Sequence, residues 1–151
     1  MVEKNLDYID FYGESDPNFE LANFYLSPVL LDGKEWPSVE HYYQAQKSSD
    51  EKFKESIRLA ATPGEAKALG RSIQFKQGND WEEVKVDFME IGTRAKYRQH
   101  QDLKKFLLGT GEKTIREHTG SNKFWGDGGD GNGKNKMGRI LMKVREELRN
   151  E

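Results

Sequence analysis

One short segment, residues 39–47 (VEHYYQAQK), carries side-chain types that could act together on a substrate. The segment is predicted to be a helix. At 100° per residue, one side of that helix, within about a third of its circumference, presents Glu40, Tyr43, Gln44 and Lys47. That side gathers an acid, a phenol, an amide and an amine where a globular protein usually has an apolar stripe. It is therefore either a solvated surface or the wall of a site that uses these groups.

The acid and the amine of this segment suggest two kinds of chemistry. A carboxyl group can transfer a proton or stabilise developing positive charge. A lysine whose pKa is lowered can form a Schiff base with a carbonyl carbon. Glu40 and Lys47 are two helical turns apart, about 10.5 Å along the axis, so they would flank a substrate instead of pairing with each other.

A glycine-rich segment lies near the other end of the chain. Seven glycines occur between residues 120 and 138 (GSNKFWGDGGDGNGKNKMG). Ordering so many glycines costs conformational entropy, so the density predicts either an unusual backbone path or close approach to a ligand, against the alternative of a loose surface loop. A helix is predicted to follow, and a glycine loop that enters a helix N-terminus suits an anion. The match of 128–135 to a phosphate-binding loop fails, because Asn135 stands where Ser or Thr should bind magnesium.

The composition predicts one compact domain over residues 1–151. Hydrophobic residues make up 34% of the chain and charged residues 33%, and an aromatic content of 11% supplies core volume. The net charge of −2, from 24 basic and 26 acidic residues, speaks against a broad nucleic-acid-binding surface. The chain has no cysteine and no long apolar run, so we expect a cytoplasmic protein with no membrane partner. The three histidines lack metal-ligand spacing, and no metal site is expected.

Local patterns predict a helix-rich α+β domain with a small antiparallel sheet. Ser38 is a predicted N-cap, and Thr62 with Glu65 a predicted capping box. The predicted strands are 6–12 and a hairpin of Phe24–Leu26 with Val29–Leu31, followed by a turn at Asp32 and Gly33. The predicted helices are 39–47, 51–60, a short helix from Pro63 that stops at Gly70, a long helix from Asn79 or Asp80, 103–108 and about 136–149. The long helix has a predicted inward stripe of Trp81, Val84, Phe88, Ile91 and Ala95.

Several blocks of the sequence together resemble the NADAR, or YbiA-like, family. The resemblance covers nearly the whole chain in the same order, with Ala22 standing where the family pattern has Ser. Two blocks are specific in combination, Glu-His-x-x-Gln-Ala-x-Lys and Trp-Gly-x-Gly. The matching segments are ANFY (22–25), DGKEWPSVEHYYQAQK (32–47), AKALGR (66–71), DWEEVK (80–85), AKY (95–97) and FWGDG with GKN (124–135).

The resemblance implies an N-glycosidase that splits the bond between ribose C1 and an exocyclic amine. Two substrate classes follow from the family: phosphoribosylamino-pyrimidine intermediates of riboflavin synthesis, and ADP-ribose attached to guanine in nucleic acid. The expected partner is therefore a small ribosylamine or an ADP-ribosyl substrate, with modified nucleic acid as a further option. No metal or organic cofactor is expected.

This reaction assigns roles to particular residues. Breaking the ribosyl C–N bond needs an anion near C1 and an acid for the departing amine, and the candidates are Glu40 and Asp127. Lys47 offers the alternative route through an imine. The residues expected to bind substrate are Asn23, Gln44, Arg71, Lys96, Trp125, Gly126, Gly128 and Asn135. Without the resemblance, a solvated helix carboxylate and a turn-stabilising Asp would be the better readings.

Some roles on this list have ordinary structural alternatives. Trp125 could stack on a heterocycle, whereas Trp81 heads the apolar stripe and is predicted to be structural. Arg71 could bind a phosphate through two hydrogen bonds, and Asn135 is also predicted to cap the last helix. The alternative function is a non-catalytic module that binds ADP-ribose or a nucleotide. A purely structural partner protein is a third reading.

Overall fold

The computed structural model describes residues 7–72 and 80–151. The predicted helix-rich α+β class is confirmed. The described elements are, in chain order, β1 (Tyr8–Phe11), a 3₁₀ turn (Phe19–Leu21), β2 (Val29–Leu31), β3 (Lys34–Trp36), α1 (Val39–Ala45), α2 (Glu51–Arg58), α3 (Pro63–Ser72), α4 (Trp81–Gln99), α5 (Gln101–Gly109), β4 (Thr114–Glu117) and α6 (Lys136–Arg149). No helix in the described part of the chain is long and apolar enough to cross a membrane.

The chain forms two compact units. The terminal unit comprises Met1–Ala22 and His100–Glu151, and the central unit comprises Asn23–Gln99. The organisation of residues 1–151 as one domain stays a prediction.

Helix α1 is the inner helix of the central unit, which explains its missing apolar stripe. All seven residues of Val39–Ala45 are buried. The helix packs against α2, α3, α4 and β3, so a covering element lies on several of its sides. Ser38 is the N-cap, as predicted: its side chain accepts a hydrogen bond from the backbone N–H of His41 at 3.2 Å. The polar side of α1 is thus enclosed by protein and is not a solvated surface.

The hairpin of the central unit differs from its prediction by one strand. Strands β2 and β3 pair antiparallel, with Val29 opposite Trp36 and Leu31 opposite Lys34. The Asp32-Gly33 turn joins them with φ of 56° and 75°, the positive values that a two-residue hairpin turn of this kind requires. Such a turn takes its strands from the residues directly beside it, so the predicted strand Phe24–Leu26 was wrong.

Two helices of the central unit also depart from expectation. Helix α3 does not stop at Gly70 but continues to Ser72. In α4, the predicted inward Ile91 is 38% exposed, whereas Met89, Lys96 and Tyr97 are buried. The reason is that α4 packs against both α1 and β2, so its buried face is broader than one stripe. The predicted start at Asn79 lies outside the described residues.

The remaining helices form where they are predicted, and α6 has the predicted bounds. The predicted helix 39–47 ends at Ala45, the predicted helix 51–60 ends at Arg58, and the predicted helix 103–108 extends from Gln101 to Gly109. The predicted core residues of α6 are all buried: Met137, Ile140, Leu141, Val144 and Leu148. The capping box before α3 also forms, since Thr62 Oγ1 accepts from the N–H of Glu65 at 3.1 Å and Glu65 Oε2 accepts from the N–H of Ala61 at 2.9 Å.

The terminal unit contains a parallel strand pair, of which the sequence predicted the first strand, within residues 6–12, but not the second strand or the pairing. Strand β1 pairs with β4, and Tyr8 lies opposite Thr114 and Phe11 opposite Glu117. Helix α6 packs on β4. The contact is closest at Gly138, where an added Cβ would lie 2.1 Å from the carbonyl oxygen of Ile115. No side chain fits between this helix and this strand at that position.

We therefore expect Gly138→Ala to lower the free energy of unfolding by about 3 kcal/mol, because backbone atoms would have to move apart. Urea unfolding followed by circular dichroism would measure the change. Gly109→Ala is the matched control, since a Cβ at Gly109 meets nothing within 4 Å. Equal unfolding midpoints for the two variants would show that the approach of α6 to β4 is not tight.

Candidate active site

The carboxyl group of Glu40 lies in the interior of the central unit. Its residue is 6% exposed. Gln44, one turn later on α1, donates a hydrogen bond from Nε2 to Glu40 Oε2 at 2.7 Å. The other carboxyl oxygen, Oε1, has no hydrogen bond to a described residue. The backbone N–H of Glu40 donates to the carbonyl of Asn23 at 3.2 Å, which brings the ANFY segment to the start of α1.

The amide of Gln44 is held against helix α3. Gln44 is 4% exposed, and its Oε1 has no hydrogen-bond partner among the described residues. A Cβ added at Gly70 would lie only 2.0 Å from that oxygen. A buried acceptor without a donor costs about 1–3 kcal/mol, so the packing of this amide is unfavourable for stability.

Positive charge surrounds the Glu40 carboxyl. Burial raises the pKa of Glu40, and it outweighs the hydrogen bond from Gln44 and the three cations, which lower it. The cations are Lys67 and Arg71 of α3 and Lys47, which follows α1. The group therefore contains one carboxyl group with a raised pKa and three basic side chains.

Lys47 is half-buried and electrostatically crowded. Burial lowers its pKa, and the cations Arg71, Lys67 and Lys85 lower it further, whereas Glu40 raises it. A lysine in such an environment has more of its amine in the neutral, nucleophilic form at a given pH.

Lys67 belongs to this group but was missed from the sequence. Lys67 and Arg71 are four residues apart on α3, a spacing that places both on one face of a helix. The AKALGR block therefore contained the signal. The ammonium of Lys67 also lies 5.7 Å from the centre of the Phe24 ring, so the ANFY segment borders this face.

Lys96 is also buried in the central unit, at 1% exposure. Its ammonium lies 5.5 Å from the ring centre of Tyr25 and 5.1 Å from that of Tyr97.

Trp81 is buried and stacks on Phe88 with 6.2 Å between ring centres, so its predicted structural role is confirmed.

Asp127 lies in the terminal unit at 1% exposure, and both of its carboxylate oxygens are engaged. Oδ1 accepts from the backbone N–H of Gly129 at 2.8 Å and of Thr119 at 3.2 Å, and Oδ2 accepts from His118 Nδ1 at 2.7 Å. Burial acts to raise the pKa of Asp127, but these hydrogen bonds outweigh it and hold the pKa below its ordinary value. Asp127 thus orders the glycine loop, and its part in catalysis stays a prediction.

His118 is a second residue of the site region that the sequence did not predict, since it contacts the candidate residue Asp127. Asp127 holds its Nδ1, and the side chain is 45% exposed. Arg116, on β4, binds Asp10 through two hydrogen bonds of 2.7 and 2.8 Å. The strand pairing of β1 with β4 therefore also fixes the charged residues around Asp127.

The glycine loop itself is tightly folded. A Cβ at Gly133 would lie 2.6 Å from the carbonyl oxygen of Gly126, so the two parts of the loop are in backbone contact. Gly128 has φ of 77°, which favours glycine. Trp125 is half-buried, and its ring meets that of Phe124 edge to face at 5.0 Å.

Asn135 occupies the N-cap position of α6, but the prediction that its side chain caps the helix is wrong. The side-chain oxygen accepts from the N–H of Glu117 at 3.0 Å, and the side-chain nitrogen donates to the carbonyl of Ile115 at 2.9 Å. Both amide groups are used on β4, because the backbone of Asn135 is left-handed, with φ of 51°. Its role toward a ligand stays a prediction.

The central unit thus brings together five of the predicted residues, Asn23, Glu40, Gln44, Lys47 and Arg71. Asp127, Trp125, Gly126, Gly128 and Asn135 belong to the terminal unit, and their convergence with Glu40 stays a prediction. Within residues 7–72 and 80–151, no group of three or more His, Asp or Glu side chains is placed to hold a metal ion.

Comparison with known proteins gives the chain a family. The model of the NADAR domain matches residues 10–149. The N-glycosidase YbiA of Escherichia coli is 44% identical over 140 residues, covering 93% of this chain and 88% of the relative. An N-glycosidase of Nostoc punctiforme is 39% identical over 145 residues, covering 94% of this chain and 93% of the relative.

A longer relative and a solved structure agree with this match. A riboflavin biosynthesis protein of Vibrio vulnificus is 44% identical over 140 residues, which cover 93% of this chain but 38% of that protein. The NMR structure of E. coli YbiA matches with a TM-score of 0.87 at 43% identity, over 95% of this chain and 85% of that one. The family model, the relatives and the solved structure agree with each other. The chain therefore belongs to the NADAR family.

Proposed function

We propose that this protein is an N-glycosidase that hydrolyses the bond between ribose C1 and an exocyclic amine, with Glu40 as the general acid. One observation carries the proposal: a buried carboxyl group with a raised pKa lies among three cations, Lys47, Lys67 and Arg71. The names of the relatives support the reaction class.

The acid step uses the raised pKa of Glu40. In direct hydrolysis, the electron pair of the breaking C–N bond moves to the exocyclic nitrogen, which takes the proton of Glu40, and water adds to C1 and releases a proton. Glu40 is left as a carboxylate, which Gln44 stabilises through its hydrogen bond to Oε2. A positioned general acid of this kind contributes about 10²–10⁴-fold to the rate.

Lys47 offers a second route to the same products. The C1–O bond of the ring breaks as the lone pair of the exocyclic nitrogen forms a C=N bond to C1, the proton of that nitrogen passes to the ring oxygen, and the neutral amine of Lys47 adds to C1. Loss of the substrate amine then leaves a Schiff base between Lys47 and the sugar, and water hydrolyses it to free the lysine. The lowered pKa of Lys47 supports this route, because only the unprotonated amine can attack.

The excess of positive charge favours a phosphorylated substrate. Arg71 is exposed and offers two parallel donors to a phosphate, and Lys67 lies on the same face of α3. Among the two classes, we favour a phosphoribosylamino-pyrimidine, as in riboflavin synthesis, because a relative that contains this domain is named for that pathway. ADP-ribosylated guanine in nucleic acid is the competing substrate. A cytoplasmic location stays a prediction of the sequence.

A paired release assay tests the function. The purified protein is incubated separately with a phosphoribosylamino-pyrimidine and with an ADP-ribosylated guanine oligonucleotide. We expect ribose 5-phosphate to appear with many turnovers from the first. Release of ADP-ribose from the second alone would move the substrate to nucleic acid. Tight binding of ADP-ribose with no product from either would contradict the enzyme and identify a binding module.

A further inference from the structure

We infer that Gly70 is a positioning residue: by leaving room for the amide of Gln44, it fixes which oxygen of Glu40 carries the proton that is transferred. The inference deepens the proposed function and rests on Glu40 being the acid. Gly70 was predicted only to end a helix, yet α3 continues through it. Its lack of a side chain therefore calls for another explanation.

The first step is the contact itself. A Cβ at Gly70 would lie 2.0 Å from Gln44 Oε1 and 2.9 Å from Gln44 Cδ. Both residues are buried, so no solvent-filled space is available into which the amide could shift at little cost. The side chain of Gln44 can occupy its place only if residue 70 is glycine.

The second step is the direction of the amide. The nitrogen end of Gln44 faces the carboxyl of Glu40, and the oxygen end faces the Cα of Gly70. A Cα–H group can donate weakly to an oxygen, whereas it offers nothing to an N–H donor. Turning the amide over would leave two N–H groups against Gly70 without an acceptor. The contact therefore holds the nitrogen end toward Glu40.

The third step concerns the proton. Because Gln44 always presents N–H groups to Oε2, that oxygen acts as an acceptor in both the neutral and the charged carboxyl group. The proton then resides on Oε1, which has no hydrogen bond to a described residue and is the oxygen left for the substrate. After transfer, the same hydrogen bond from Gln44 stabilises the carboxylate.

Gly70→Ala should displace Gln44 and weaken this hydrogen bond. We expect kcat to fall about 10²-fold, the effect of misplacing a catalytic group by about 1 Å, while KM changes little. Since the hydrogen bond from Gln44 lowers the pKa of Glu40, its loss should raise that pKa further. The high-pH limb of the kcat profile would move to higher pH. The charged groups that face Glu40, which are Lys47 after α1 and Lys67 and Arg71 on α3, are the same in every variant.

The matched control is Gly64→Ala, also in α3, where a Cβ would meet only Thr62 Oγ1 at 3.8 Å. A double-mutant cycle with Gln44→Ala separates positioning from general disruption. Truncating Gln44 makes room for the methyl group, so adding Gly70→Ala to Gln44→Ala should cause no further loss of kcat. The double variant also serves if Gly70→Ala alone does not fold. Additive losses, or a Gly70→Ala variant that matches Gly64→Ala, would overturn the inference.

A measurement independent of turnover keeps this inference apart from the proposed function. In protein labelled with ¹³C at glutamate carboxyl groups, the Glu40 signal is identified by its absence in Glu40→Gln and titrated by NMR. We expect a higher midpoint in both Gly70→Ala and Gln44→Ala than in the wild type. An unchanged midpoint would refute the role of Gly70 even if Glu40 is the acid. A raised midpoint in a protein without glycosidase activity would refute the function alone.

Discussion

Glu40→Gln should lower kcat on the ribosylamine substrate by about 10²–10⁴-fold, the contribution of a positioned general acid. The replacement keeps the size and shape of the side chain and its ability to accept a hydrogen bond from Gln44 Nε2. It removes only the transferable proton. Initial rates of ribose 5-phosphate release, with folding checked by circular dichroism, would measure the loss.

Glu83→Gln is the control for this variant, because Glu83 is exposed in the first turn of α4. It should turn over like the wild type. A Glu40→Gln enzyme with a near-wild-type rate would contradict the role of Glu40 as the acid. The lysine route alone would then have to account for departure of the amine.

The same variant should be more stable than the wild type at neutral pH. Burial raises the folded-state pKa of Glu40 above its unfolded value. Its contribution to stability is therefore fully present below the unfolded pKa and is lost as the pH rises through the folded pKa. Gln does not titrate, so the advantage of Glu40→Gln in Tm should grow from about pH 4 to neutral pH. Thermal unfolding across this range would show a constant difference if Glu40 were an ordinary surface acid.

Lys47→Ala should lower kcat at least as strongly as the loss of a general acid does, by about 10²-fold or more, because Lys47 is the nucleophile of the imine route. Sodium borohydride added during turnover should link the sugar to wild-type protein, with the added mass located on the peptide that contains Lys47. No adduct should form on Lys47→Ala. Mass spectrometry of the digested protein would measure this.

Lys52→Ala is the matched control, since Lys52 is an exposed lysine of α2. Lys47→Arg separates the two routes, because guanidinium keeps the positive charge but does not form an imine under these conditions. An active Lys47→Arg enzyme without an adduct would show direct hydrolysis, in which Lys47 contributes charge alone.

Much of the central-unit site was predictable because several of its residues lie in one short segment, 39–47. The spacing of Glu40, Gln44 and Lys47 predicted one shared side of a helix, although α1 ends at Ala45 and Lys47 follows it. The spacing could not show that protein encloses this side of α1, because the enclosure depends on the packing of α3 against α1. The pKa of Glu40 is set by this packing, and helical periodicity carries no information about it.

Other features were missed because they depend on contacts between distant segments. Strand β4 pairs in parallel with β1 across about a hundred residues, and no local pattern reports such a partner. Asn135 was predicted to cap α6 from its position, but its amide is used on β4. Glycine after an apolar run commonly ends a helix, so the sequence predicted that the helix stops at Gly70. The contact of Gly70 with the amide of Gln44 depends on the packing of two helices, which no local pattern reports.

The most direct test of the central claim compares Glu40→Gln on two substrates with different leaving groups. One is the phosphoribosylamine, whose nitrogen needs a proton to depart. The other is the same phosphoribosylamine with a nitro-substituted aryl amine, whose less basic nitrogen departs with less help from a proton. If Glu40 is the general acid, the variant should be severely impaired on the first substrate and much less impaired on the second. An equal loss on both substrates would contradict the account.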